Sequence, residues 1–209
     1  MLGVNNIIQE ADKQRKINQL ITEADDYRKE EKYELALQKV DEAINIDGGN
    51  SYLYYIEVFI AHKLANYDLA IECYKKSAEK NPSNYGIFYN WGIALSELAK
   101  IKNDEKLFTE SCEKYQKATE INSNNKSIFI YWGITLCSLA QLKNDLNSYK
   151  DEIESVFLKA EAINEGAGSY NLACLYSLLY QKDVALTWLE KELKHVTSQT
   201  KNISYPIQT

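Results

Sequence analysis

The side chains able to do chemistry are few and scattered. Two histidines, His62 and His195, stand far apart, neither with a Cys, His or carboxylate at metal-ligand spacing. Cys73, Cys112, Cys137 and Cys174 fall 39, 25 and 37 residues apart, which fits no zinc or redox motif. As small hydrophobes inside helices they point to a reducing, cytoplasmic setting. Asp25/Asp26 and Glu30/Glu31 are adjacent carboxylates, but on a helix such pairs are a solvated face rather than an acid/base couple. The sequence holds no Gly-rich phosphate loop, no Gly-x-Ser-x-Gly elbow and no His-Glu-x-x-His. No catalytic residue, metal or cofactor is expected. Two tryptophans, Trp91 and Trp132, are the remaining candidates, as a ligand cage or as packing.

Their surroundings decide in favour of packing. Phe88–Ala99 reads FYNWGIALSELA and Phe129–Ala140 reads FIYWGITLCSLA, so both Trp-Gly pairs sit in one apolar frame at an offset of 41. A fixed period of a few tens of residues marks a stacked-repeat architecture. Extended outward, the frame divides the chain into 17–50, 51–84, 85–125, 126–165 and 166–196. It is preceded by an extension, 1–16, and followed by a tail, 197–209. Small residues recur near fixed places (Ala24/Ala36/Ala43, Ala70/Ser77, Gly92/Ala118, Gly133/Ala160, Ala173/Ala185) between aromatic ones such as Tyr27/Tyr33, Tyr67/Tyr74 and Phe108/Tyr115.

Bulk properties agree with one continuous helical array. Hydrophobic residues make up 45 % of the 209, enough for a buried core, and eight Gly with two Pro are too few for a turn-rich fold. The net charge of −6, with no basic stripe, excludes non-specific phosphate binding, so no nucleic-acid partner is expected. The first residues lack a basic start followed by an apolar run, and no stretch of about 18 apolar residues occurs, so neither a secretion signal nor membrane insertion is expected.

The frame resembles the tetratricopeptide-repeat family, whose 34-residue unit is a pair of antiparallel helices with small residues where they cross. The resemblance runs from about Ile17 to about His195. It is closest in 51–84, where Tyr67, Ala70, Tyr74 and Pro82 are all in place. Val58, Ile153 and Glu192 depart from the family's small residues, and only Pro82 holds the usual proline position. The resemblance implies an all-α, right-handed superhelical solenoid of antiparallel helix pairs, with protein or peptide partners.

Several local features are expected within that frame. One helix runs from about Asn5 to Glu30, its first turns either shielding the array's open edge or pairing with a second copy or a partner helix. Gly48-Gly49 close the second helix, and Pro82 stops the fourth. Insertions at about Lys100–Leu107 and Gln141–Tyr149 add one turn to each helix of the third and fourth pairs, with Asn103-Asp104 and Asn144-Asp145 as N-caps. After His195 helical periodicity is lost.

Family contact positions place Tyr52, Tyr55, Phe59, His62, Tyr89, Ile93, Ile130, Ile134 and Tyr170 on the concave side. The clamp that some members use for a C-terminal carboxylate is absent, because Ile21, Asp25, Ile56, Gly86 and Asn90 stand at its positions. An aromatic and aliphatic stripe suits an apolar helical or extended segment of a partner. Alternatively the chain's own N-terminal helix, its Ile203-Tyr205-Pro206 segment or a second copy fills it, giving a self-associating scaffold, with a homodimer through the N-terminal helix. A third arrangement packs these side chains on one another.

Overall fold

The computed structural model describes the backbone of residues 2–47 and 50–201, and the side chains of 7–47, 50, 52–54 and 56–197. Those residues form ten α-helices: α1 Leu2–Lys29, α2 Tyr33–Ile46, α3 Ser51–Lys63, α4 Tyr67–Lys80, α5 Tyr85–Lys102, α6 Glu105–Ile121, α7 Lys126–Leu142, α8 Leu146–Ile163, α9 Ser169–Leu178 and α10 Lys182–Lys201. They divide into two compact units, 1–94 and 95–209, and α5 contributes to both.

The turn inside each of the five helix pairs is built the same way. One residue takes the left-handed conformation: Glu31 (φ 58°), Ala65 (50°), Asn103 (50°), Asn144 (53°) and Tyr180 (59°). The next N–H then reaches back five residues, from Lys32 to the Tyr27 carbonyl and likewise Asn66 to Ala61, Asp104 to Ala99, Asp145 to Ala140 and Gln181 to Tyr176. This closure satisfies carbonyls that a helix end leaves open and reverses the chain within three residues. Only asparagine is at ease there. A side chain such as Ala65 opposes the left-handed region, so Ala65→Gly is expected to raise stability by about 0.5–1 kcal/mol, read as a higher urea midpoint.

The junctions between pairs repeat as well. Asn50, Asn84 and Asn125, each just before α3, α5 and α7, accept from the N–H groups of Tyr52, Gly86 and Ser127 at 3.0 Å each. Within pairs, Asn66, Asp104 and Asp145 cap α4, α6 and α8. Each capped end satisfies donors that lack an intrahelical partner. The residue after each second helix donates to a small residue of the frame, Asp47 to Ala43, Asn81 to Ser77, Asn122 to Ala118 and Asn164 to Ala160.

Inside 1–94 the core joins α1, α2 and α3 through Leu20, Ala24, Ala36, Val40, Ala43, Leu53, Ile56 and Ile60. Inside 95–209 a second core joins α7, α8 and α9 through Phe129, Leu136, Ile153, Val156, Phe157, Leu172 and Leu175. Trp91 is buried and Trp132 packs against this second core, as packing residues do. The insertions lengthen α5 to 18, α6 to 17, α7 to 17 and α8 to 18 residues, against 13 and 14 for α3 and α4. About one turn is added to each, which preserves the phase of the buried faces.

One boundary differs from expectation. The segment 197–209 was expected to be non-helical throughout, yet α10 continues to Lys201. No Gly or Pro interrupts 197–201, Ser, Thr and Gln are tolerated within a helix, and the Thr197 hydroxyl bonds back to the Leu193 carbonyl. Residues 202–209, with Ile203, Tyr205 and Pro206, and the cap glycines Gly48 and Gly49 lie outside the described residues.

Candidate partner-binding pocket

Helix α3 reads SYLYYIEVFIAHK, apolar on nearly every side, so it cannot satisfy all its faces within the core. Leu53, Ile56 and Ile60 point into the core of 1–94, and Ala61 is equally buried. Phe59 packs against the edge of that core, and with Tyr52 and His62 it also borders the space beside α4 and the first turns of α5. They line one side of an open cavity of about 650 Å³. Tyr74, Ser77 and Asn81 supply the α4 wall, and Gly86, Ile87 and Asn90 the α5 wall.

The pocket's polar groups are placed by local bonds. His62 Nε2 lies 3.1 Å from the Tyr74 hydroxyl, and the His62 ring meets Tyr67 edge-on at 6.0 Å. Burial lowers the His62 pKa and raises that of Tyr74, so both are uncharged near neutral pH. Asn84 Oδ1 accepts from the Gly86 N–H, and Asn90 Nδ2 donates to the Gly86 carbonyl at 2.9 Å. Those two bonds pin the start of α5 and leave amide edges at the rim. Charge enters only at one end. The Arg28 guanidinium sits 4.9 Å from the Phe59 ring centre and the Lys63 amine 5.6 Å from it, while Arg28 pairs with Asp25 at 2.9 Å. Cations over an aromatic face hold the ring in place. The result is an aromatic, uncharged slot with amides along its rim, suited to van der Waals contact and neutral hydrogen bonding.

The other residues assigned to the concave side are distributed as follows. Tyr89 and Ile93 are half-buried on α5, and the Tyr55 side chain lies outside the described residues. On α7, Ile130 packs against the Phe129–Leu175 core and Ile134 is exposed. Tyr170 on α9 is exposed and lines a separate groove of about 460 Å³ with α10 residues. Sequence reasoning missed Tyr74, Ser77 and Asn81, because contact positions were taken from first helices alone. The available signal was that Tyr74 and Ser77 stand four and seven residues after Ala70, so the three share one face of α4.

Among the described residues no group of three His, Cys, Asp or Glu side chains gathers where a metal could bind, and no helix is long and apolar enough to cross a membrane. No protein-family model matches the sequence, and no curated protein matches it. Solved structures do match. MamA superposes with a TM-score of 0.73 at 14 % identity, covering 93 % of this chain and all of that one. YrrB, described as a tetratricopeptide-repeat protein with an unusual peptide-binding site, superposes at 0.62 and 21 % identity, covering 84 % of each chain. A thermophilic tetratricopeptide-repeat protein of Thermus thermophilus superposes at 0.58 and 17 % identity, covering 85 % of this chain and 90 % of that one. The chain has the tetratricopeptide-repeat fold. Among the small residues of the frame, Ala43, Ala118 and Ala160 are fully buried. The all-α helix-pair array inferred from the Trp-Gly recurrence is the one that forms.

Proposed function

We propose that this chain is a non-catalytic protein-interaction module that takes an apolar helical or extended segment of a partner between Tyr52, Phe59, His62 and Asn90. The observation that carries the reading is the open pocket itself. Its lining holds no carboxylate, lysine or arginine in a chain of net charge −6, and His62 and Tyr74 within it are joined by a hydrogen bond. Rigid aromatic side chains with polar tips give contact area at small entropic cost. A peptide-binding site is described for the structurally similar YrrB, which supports the class of ligand and not its sequence. The four free thiols suit the reducing, cytoplasmic setting proposed with it.

The test is a selection from a displayed peptide library with the whole chain as bait, followed by fluorescence polarisation of the enriched peptides. A variant carrying Tyr52→Glu and Asn90→Trp fills and charges the mouth at two exposed positions, and circular dichroism checks that it is folded. Enriched peptides should carry apolar anchors, and the variant should bind them at least about tenfold more weakly, a loss of roughly 1.4 kcal/mol. Equal affinity for both proteins would place the site elsewhere and end this reading.

A further inference from the structure

A helix pair within a repeat array covers its outer face with the next pair. Nothing among the described residues covers the outer face of α9 and α10. Two overlapping features lie there, sharing Leu186 and Leu189. One is the groove between the two helices, lined by Tyr170 and Cys174 of α9 and by Ala185, Leu186 and Leu189 of α10. The other is a ridge along α10, formed by Leu186, Leu189, Leu193 and Val196, which are 37–66 % exposed. Their steps of three, four and three residues are the a/d spacing of a helix that packs along one seam against another helix. With Tyr170 and Tyr180, also exposed, the apolar face reaches the upper end of what soluble monomers ordinarily leave to water.

We propose that this face is a two-fold interface between two copies of the chain, with α10 of each laid antiparallel along the α9–α10 groove of the other. The patch is self-complementary, as a two-fold interface must be. When Leu189 of one copy meets Leu193 of the other, Leu186 meets the other copy's Val196. The two-fold axis repeats both contacts, giving four apolar layers along the seam. A chance partner helix would have to reproduce this spacing, whereas a second copy already carries it. The exposed parts of these leucines, the valine and the two tyrosines amount to roughly 600 Å² per copy, taking 150–250 Å² for a whole aromatic side chain. That is about 1,200 Å² in all, the lower end for specific interfaces, so association in the micromolar range is expected. Glu190 at the seam's edge meets its own symmetry copy, and added salt therefore tightens the dimer.

Sedimentation velocity of the whole chain from about 1 to 100 μM tests this. The expected result is a shift with concentration from the 24.0 kDa monomer toward twice that mass. Leu193→Glu with Val196→Glu, at exposed positions, should keep the protein monomeric across the range with unchanged helicity. Ile7→Glu with Ile8→Glu, on the equally exposed stripe of α1, should leave the dimer intact. Mixing the single variants Leu189→Lys and Leu193→Glu, each monomeric alone, should restore a dimer if the helices run antiparallel in this register. A wild type that stays monomeric at 100 μM overturns the proposal, whether residues 202–209 or another protein cover the face. A dimer lost with the α1 variant but kept with the α10 variant overturns it too, and assigns self-association to the N-terminal helix. None of these results depends on the Tyr52–His62 pocket.

Discussion

Glu161→Gln is expected to destabilise the 95–209 unit by about 3 kcal/mol at pH 7, and the loss is expected to vanish in acid. Capping asparagines precede α3, α5 and α7, but α9 follows Gly168, which supplies no side-chain cap. Glu161, nearly buried on α8, takes over. Its carboxylate accepts from the Gly166, Gly168 and Ser169 N–H groups at 3.0, 2.9 and 3.1 Å and from the Ser169 hydroxyl at 3.1 Å. The Lys191 amine of α10 completes the set at 2.8 Å. Burial by itself would raise the Glu161 pKa, but Lys191 and the backbone donors of Gly166 and Gly168 outweigh it and bring the value down to about 2. A folded-state pKa below the unfolded one means stability that is fully present above about pH 4.5 and lost as pH falls toward 2. Urea melts followed by Trp188, whose ring lies 5.0 Å from Lys191, should show the wild-type advantage over Glu161→Gln shrinking through that window. An advantage that persists unchanged at pH 2.5 would show that the carboxylate's charge is not its source. Lys191→Ala should cost less, about 1 kcal/mol, because Lys191 is partly exposed and the four other hydrogen bonds survive.

The second large effect is at Gly133. A Cβ there would collide with the Phe157 ring, 2.6 Å from its Cζ, and Phe157 is buried in the α7–α9 core. Helix propensity favours alanine over glycine by about 1 kcal/mol, so an unobstructed site would gain from the change. Here overpacking wins. Gly133→Ala is expected to lose about 1–3 kcal/mol net, and Gly133→Val more, as a lower thermal midpoint. Combining Gly133→Ala with Phe157→Leu should recover part of the loss, because the two residues share one volume. If the double variant is as unstable as the sum of the singles, the ring is not what excludes a side chain at Gly133.

What the sequence by itself determined was the period and its local punctuation. The offset of 41 between the Trp-Gly pairs corresponds to packing positions in the folded chain, and the aspartates at 104 and 145 are N-caps there. They were legible because a cap acts on N–H groups two or three residues away, and a helical face is set by steps of three and four. Those are distances a sequence displays directly. Tertiary structure decided what depends on residues brought from elsewhere. Nothing in the sequence sets Glu161 apart from the other carboxylates, because Lys191, on another helix, and the α9 turn meet it only in the folded chain. Ile130 belonged to the same positional class as Tyr52, yet it packs into the core and Tyr52 does not, because that choice rests on the neighbouring helix's side chains. Tyr74, Ser77 and Asn81 entered the pocket only once α4 was laid beside α3. The periodic part of this fold is local physics repeated, and the pocket is made where the repeats meet.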